Sequence, residues 1–187
     1  NHAVMAGEST TGVTTFFLEP SVDTGDIILQ ARMSIGPNET AGSVHDRMAE
    51  LGADAVVETV RQLDEGTVET RPQDDEKATP APKIHDADCE TPWEASAQEV
   101  HNHVRGLSPY PGAWTQHGDT RLKLYRTRRA EGTGAPGEVL EADERLLVAC
   151  GTGAVEVRTL QQPGRKRLDA PDFLNGYALS AGDRLGE

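Results

Sequence analysis

The sequence predicts two pieces: an α/β segment built from one hairpin and one helix, then a small β-barrel-like domain with helices. Three observations lead there. Apolar residues alternate over 26–35 and then recur at helical spacing over 44–63. A Pro-rich, charged stretch at 67–83 holds almost no bulky apolar residue. Beyond it come several short β-rich runs separated by turn signals.

The elements follow in order. GVTTFFL, from Gly12 to Leu18, is rich in β-branched and aromatic residues and reads as a strand. EPSVDTG breaks it at Pro20 and Gly25. In DIILQARMSI, Ile27, Leu29, Ala31, Met33 and Ile35 point one way, with Gln30, Arg32 and Ser34 on the other face. Two strands joined by a short loop predict a hairpin. After Gly36-Pro37-Asn38 a helix takes Thr40 or Ser43 as its N-cap. Val44, Met48, Leu51, Ala55, Val56, Val60 and Leu63 form its apolar stripe, read as core packing, and Gly66 stops it. Within the linker, Asp74-Asp75-Glu76 reads as solvated charge.

A second domain starts near Ile84. In TPWEASAQEVHNHVRGL, Ser96 is placed as N-cap with Glu99 three residues on, and Val100, Val104 and Leu107 face the core. SPYPGAW is a Pro-rich turn with two aromatics. RLKLYRT, GEVLEA, RLLVAC and AVEVRTLQ read as short strands, and Gly151-Thr152-Gly153 joins the last two as a hairpin. Asp169-Ala170-Pro171 opens a short terminal helix.

Composition bounds the function. The 187 residues are 36% hydrophobic and 26% charged, which suits a folded chain rather than a disordered one. There is no apolar run long enough to span a membrane and no visible signal peptide, so a cytoplasmic protein is expected. The net charge of −13 repels polyanions at long range, so any nucleic acid must meet a local basic patch. Cys89 and Cys150 make neither a disulfide framework nor a metal cluster, and Cys150 reads as a small buried hydrophobe. The chain starts at Asn1 without an initiator Met, as a fragment of a longer protein would.

Asp23-Thr24-Gly25 has the form in which aspartic proteases carry their carboxylate. Such an enzyme needs two carboxylates sharing a proton, and only one such triplet is present, followed by Asp26. A loop aspartate that caps backbone N–H groups fits the spacing better. His101 and His103 lie two apart and do not share a helix face, so they are no metal pair. RLKLYRTRR, with Arg121, Lys123, Arg126 and Arg128, and GRKR, with Arg165, Lys166 and Arg167, are two cationic strips. They suit a phosphate backbone or a solvated charged face equally. If the first is a strand, Leu122 and Leu124 face the core while Arg121, Lys123 and Tyr125 face out.

GESTTGVTTFFLEPSVDTGDIILQ, TPAPKI, VRGLSPYPGAW, GEVLEA and TLQQPGRKRLDAPDFLNG occur here in one order. Together they resemble the later part of the methionyl-tRNA formyltransferase family over nearly the whole chain. The resemblance implies that residues 1–66 are the end of a Rossmann-like formyl-transfer domain, 67–83 a linker and 84–187 an OB-like domain contacting tRNA. It implies formyl transfer from 10-formyltetrahydrofolate to initiator methionyl-tRNA by a cytoplasmic monomer, with no metal, DNA or membrane involved. Asp23 matches the family's catalytic aspartate, and Val22, Thr24 and Gly25 match part of its folate-binding wall. The cationic residues Arg121, Lys123, Arg126, Arg128, Arg165, Lys166 and Arg167 then contact RNA. The family's Asn-x-His pair and Leu-Leu-Pro segment do not occur here. Asn1 and His2 are adjacent and are not that pair. The resemblance thus implies a truncated chain, inactive alone. A formyltransferase for another amine, such as a nucleotide sugar, and a non-catalytic RNA-binding module are the alternatives.

Overall fold

The structure is a computed structural model that describes all 187 residues. In chain order it contains α1 (His2–Met5), β1 (Thr10–Phe16), β2 (Ile27–Ser34), α2 (Ala41–Glu65) and α3 (Ala97–Leu107). Six strands follow: β3 (Ala113–His117), β4 (Thr120–Ala130), β5 (Val139–Ala142), β6 (Leu146–Ala149), β7 (Ala154–Gln161) and β8 (Leu168–Asp169). The last helix is α4 (Ala170–Leu174).

These elements form two compact units whose limits differ from the division 1–66, 67–83 and 84–187. One unit holds Asn1–Glu8, Asn38–Gly42 and Lys83–Glu187, and the other Ser9–Pro37 and Ser43–Pro82. Packing explains the difference. Val4 on α1 is 2% exposed and Met5 lies against the core of the larger unit. At the other boundary Arg71 pairs with Ile27, its N–H donating to the Ile27 carbonyl at 3.0 Å and its carbonyl accepting from the Ile27 N–H at 2.8 Å. The stretch read as a linker therefore begins as an extra edge on β2.

In the smaller unit β1 and β2 pair antiparallel from Thr10↔Ser34 to Phe16↔Ile27, as the alternation predicts. Helix α2 meets β1 through polar side chains. Thr59 Oγ1 donates to the Ala55 carbonyl at 2.7 Å and lies 2.8 Å from Thr15 Oγ1, and Thr11 Oγ1 reaches Met48 Sδ at 3.9 Å. Of the apolar stripe, Val44 and Ala55 are buried, but Val56, Val60 and Leu63 are about half exposed. Orientation is the reason. Met48 and Thr59 meet β1, and Val56 and Val60 are turned about a quarter of the helix circumference or more away from that line, so they are exposed although Thr59, beyond Val56, still reaches Thr15.

In the larger unit all strands pair antiparallel in the order β3-β4-β7-β6-β5, with β8 on β7. Helix α3 starts where the sequence places it. Ser96 Oγ accepts from the Glu99 N–H, and Glu99 accepts from the Ser96 N–H at 2.9 Å, a complete capping box. Its residues Val100, Val104 and Leu107 are fully buried with Leu122, Leu124, Leu146, Val155 and Leu160 from the sheet. Cys89 and Cys150 are buried free thiols, and burial pushes the Cys150 thiol up to about 12, so it stays protonated.

Tyr125 corrects the expected strand faces. The β4–β7 register shifts between Leu124 and Arg126, leaving Tyr125 without a cross-strand partner. Its ring turns in, 5% exposed, with its hydroxyl donating to Gln161 Oε1 at 2.7 Å.

Candidate functional site

The Asp23 loop is built within the smaller unit. Residues 17–26 leave the β1–β2 ladder, and the Phe17 N–H donates to the Asp26 carbonyl at 3.0 Å to close the loop. Asp23 has φ of 58°, the left-handed region that Asp tolerates better than most residues. Gly25 is buried, and a Cβ there would lie 1.6 Å from the Phe17 carbonyl oxygen, so no side chain fits. Thr24 Oγ1 donates to the Ser21 carbonyl at 3.2 Å. Val22, at 86% exposure, projects into solvent beside the exposed Asp23.

Gln73 fixes this loop from outside. Its amide donates to the carbonyls of both Asp23 and Gly25 at 2.8 Å. Two donors on one planar amide clamp two backbone groups that flank Thr24. The carboxylate of Asp23 is thus left outward on a short segment whose backbone is held on both sides. Such a group can accept or hold a proton from an approaching donor.

The cationic strips fall into two sets on the larger unit. Arg121, Lys123, Arg165, Lys166 and Arg167 surround the turn at Gln162–Gly164. Arg121 lies 3.8 Å above the Trp114 ring and pairs with Asp86 at 3.0 Å. Arg167 lies 3.7 Å above the Tyr125 ring, and Lys123 Nζ donates to the Pro111 carbonyl at 3.0 Å. Arg165 and Lys166 are exposed without an acidic partner. Arg126 and Arg128 are brought elsewhere, to a cavity of about 470 Å³ shared with Arg105, Arg158 and Glu156. There Glu156 pairs with Arg158 at 3.0 Å, and Glu144, Arg145 and Asp169 share the lining with Arg126 and Arg128.

Two profiles match this chain. One, described as formyl transferase, C-terminal domain, covers residues 83–178, and one described as formyl transferase covers 1–60. The chain belongs to the formyltransferase family. The methionyl-tRNA formyltransferase of Jannaschia sp. (strain CCS1) is 44% identical over 99% of this chain and 60% of its own length. That of Citrifermentans bemidjiense is 42% identical over 100% of this chain and 59% of its own. The chain thus spans about 60% of the length of the curated relatives it matches. In fold it is similar to HypX from Aquifex aeolicus in complex with tetrahydrofolic acid. There the TM-score is 0.69 at 23% identity, over 92% of this chain and 31% of that one.

Within this formyltransferase chain, residue-by-residue reading missed Gln73 and Arg105. Gln73 lies 50 residues from Asp23, so no local pattern links them. Arg105, 4% exposed, donates to Asn102 Oδ1 and the Glu39 carbonyl. Arg105 follows Val104 in a helix that also carries Glu99, His101, Asn102 and His103, so the sequence holds no signal of its burial.

Proposed function

We propose that this chain carries the proton-handling loop and the RNA-contacting domain of a methionyl-tRNA formyltransferase. The reaction transfers the formyl group of 10-formyltetrahydrofolate to the amino group of initiator methionyl-tRNA. Attack of the amine nitrogen on the formyl carbon forms a C–N bond and turns the carbonyl oxygen into an oxyanion. The nitrogen then carries an extra proton. Asp23 takes or relays that proton, collapse of the oxyanion breaks the bond to the folate nitrogen, and that nitrogen accepts a proton as it departs in tetrahydrofolate. Val22, Thr24 and Gly25 form part of the wall beside the folate. The donor that polarises the carbonyl is not among the groups around Asp23 and comes from the family's Asn-x-His pair, absent from these residues. The larger unit acts as an OB-like domain whose cations meet tRNA phosphates. The smaller unit is the end of a Rossmann-like domain, and the enzyme works as a cytoplasmic monomer.

The observation that carries this reading is the exposed Asp23, held at φ of 58° with its own carbonyl and that of Gly25 clamped by Gln73, inside a segment matched by the formyl transferase profile. A second reading, a formyltransferase for a nucleotide sugar, has one observation in its favour. The fold is also similar to an N-formyltransferase from Helicobacter canadensis in complex with folinic acid and dTDP-3-aminofucose, with TM-score 0.61 and 18% identity over 86% of this chain and 58% of that one.

One assay separates them. The chain is joined behind the segment of the Jannaschia relative that it does not match, and formyl transfer is measured to initiator methionyl-tRNA and to a dTDP-amino sugar. Transfer to the tRNA is expected, with Asp23→Asn slower by about 10²-fold or more. Transfer to the sugar alone would favour the second reading, and an unchanged rate for Asp23→Asn would remove that residue from the chemistry. The 187-residue chain by itself is expected to show no transfer.

A further inference from the structure

We propose that Tyr110 is a stacking platform for an unpaired nucleobase of single-stranded RNA, a specificity element that rests on the tRNA reading above. Tyr110 is 82% exposed, whereas Tyr125 is buried and the Tyr177 hydroxyl lies 2.8 Å from His117 Nδ1. An exposed aromatic alone means little. What marks this one is the rigidity of the backbone that presents it.

Five successive carbonyls around Tyr110 each have a donor. The Leu107 carbonyl accepts from the Gly112 N–H at 2.9 Å and the Ser108 carbonyl from the Gly42 N–H at 3.0 Å. Arg167 Nη2 approaches the Pro109 carbonyl at 3.5 Å. Asn1 Nδ2 donates to the Tyr110 carbonyl at 3.2 Å, and Lys123 Nζ to that of Pro111 at 3.0 Å. The loop is fixed from four directions while its one large side chain is left in solvent.

Charge supplies the ligand class. Two of the loop's anchors are the cations Lys123 and Arg167, and Arg165 and Lys166 follow at the next turn. Proteins that hold single strands combine cations along the backbone with aromatic rings under the bases, and that pairing is present here. The neighbouring aromatic cannot serve. Trp114 is 9% exposed, is covered by Arg121, and spends its Nε1–H on the Asp86 carbonyl at 2.9 Å. Tyr110 is the open ring beside the basic turn.

The test uses the 187-residue chain and a labelled single-stranded RNA of about ten nucleotides, read by fluorescence anisotropy at low salt. Tyr110→Ala is expected to weaken binding about fivefold or more, as loss of one base–aromatic stack does, while Tyr110→Phe binds like wild type. The same RNA made abasic, and an RNA duplex, should bind Tyr110→Ala and wild type alike. Replacing Arg165, Lys166 and Arg167 by Ala should weaken all three RNAs. If Tyr110→Ala holds the single strand as tightly as wild type while the triple variant is weakened, the platform is wrong and the RNA reading stands. If wild type binds none of the RNAs, or neither variant changes binding, both are overturned. Thermal melting of Tyr110→Ala, expected to match wild type for so exposed a side chain, excludes misfolding as the cause.

Discussion

Gln73 and His103 show how single residues set the behaviour of a loop and of a helix. Gln73 holds two carbonyls of the Asp23 loop and faces solvent in part. Gln73→Ala should therefore leave global stability within about 1 kcal/mol, the usual net worth of such bonds. Proteolytic cleavage between Val22 and Asp26 should nonetheless become faster, as followed by mass spectrometry. His103 is different. Its Nε2 is buried without a hydrogen-bond partner, and burial holds its pKa below the usual 6.5, opposed in part by backbone groups at Cys89 and Glu90. The unfolded chain thus takes up this proton first as pH falls. The contribution is present above pH 6.5 and is lost as pH falls through that value toward the lower folded pKa. Urea unfolding should show stability declining as pH drops from 6.5 toward about 5, ahead of carboxylate protonation. His103→Gln should flatten that decline, and an unchanged slope would assign it to other groups.

Elements were readable where their cause is local. The Ser96–Glu99 box is written within four residues, and it forms as expected. Ser96→Ala should cost about 1 kcal/mol, measured by thermal or urea unfolding. The Gly151-Thr152-Gly153 turn also closes as a hairpin, with the Cys150 N–H donating to the Gly153 carbonyl at 2.9 Å. Where the cause is a partner far along the chain, the sequence is silent. Tyr125 alternates correctly for an outward face, yet the β4–β7 register shift and the guanidinium of Arg167 put it inside. The apolar stripe of α2 is periodic along its length, but periodicity does not report how much of its width the two-stranded sheet covers. Only the family resemblance singles out Asp23, because its spacing alone fits a capping loop aspartate better than a catalytic one. The exposed half of α2 has a consequence of its own. Val56, Val57, Val60 and Leu63 make a sticky face. Val57→Lys with Val60→Lys should reduce concentration-dependent association in sedimentation, with little change in the helical circular dichroism signal.

At the scale of the whole molecule, the two units are not two consecutive lengths of chain. The larger one recruits Asn1–Glu8 and Asn38–Gly42 to residues 83–187. Helix α1 is too short to be stable by itself, so its order comes from packing. Asn1 Nδ2 donates to the Gly106 carbonyl at 2.7 Å, and Gly106 lies so close to Met5 that an added Cβ would sit 2.3 Å from its Cγ. Val4, 2% exposed, completes the contact. A fragment of residues 83–187 keeps the sheet, α3 and α4, and so should fold, yet without α1 it uncovers the Gly106 face of α3. Its stability should fall below that of the same unit in the full chain by about 2 kcal/mol or more, the scale of losing a buried apolar side chain. The measurement is thermal unfolding of the full chain, of the fragment, and of the full chain carrying Val4→Asp. The fragment and Val4→Asp should both melt lower than wild type, and a synthetic peptide of residues 1–8 should restore part of the fragment's loss in a concentration-dependent way. A fragment that melts with the full chain and ignores the peptide would show that α1 contributes nothing to the unit it lies in.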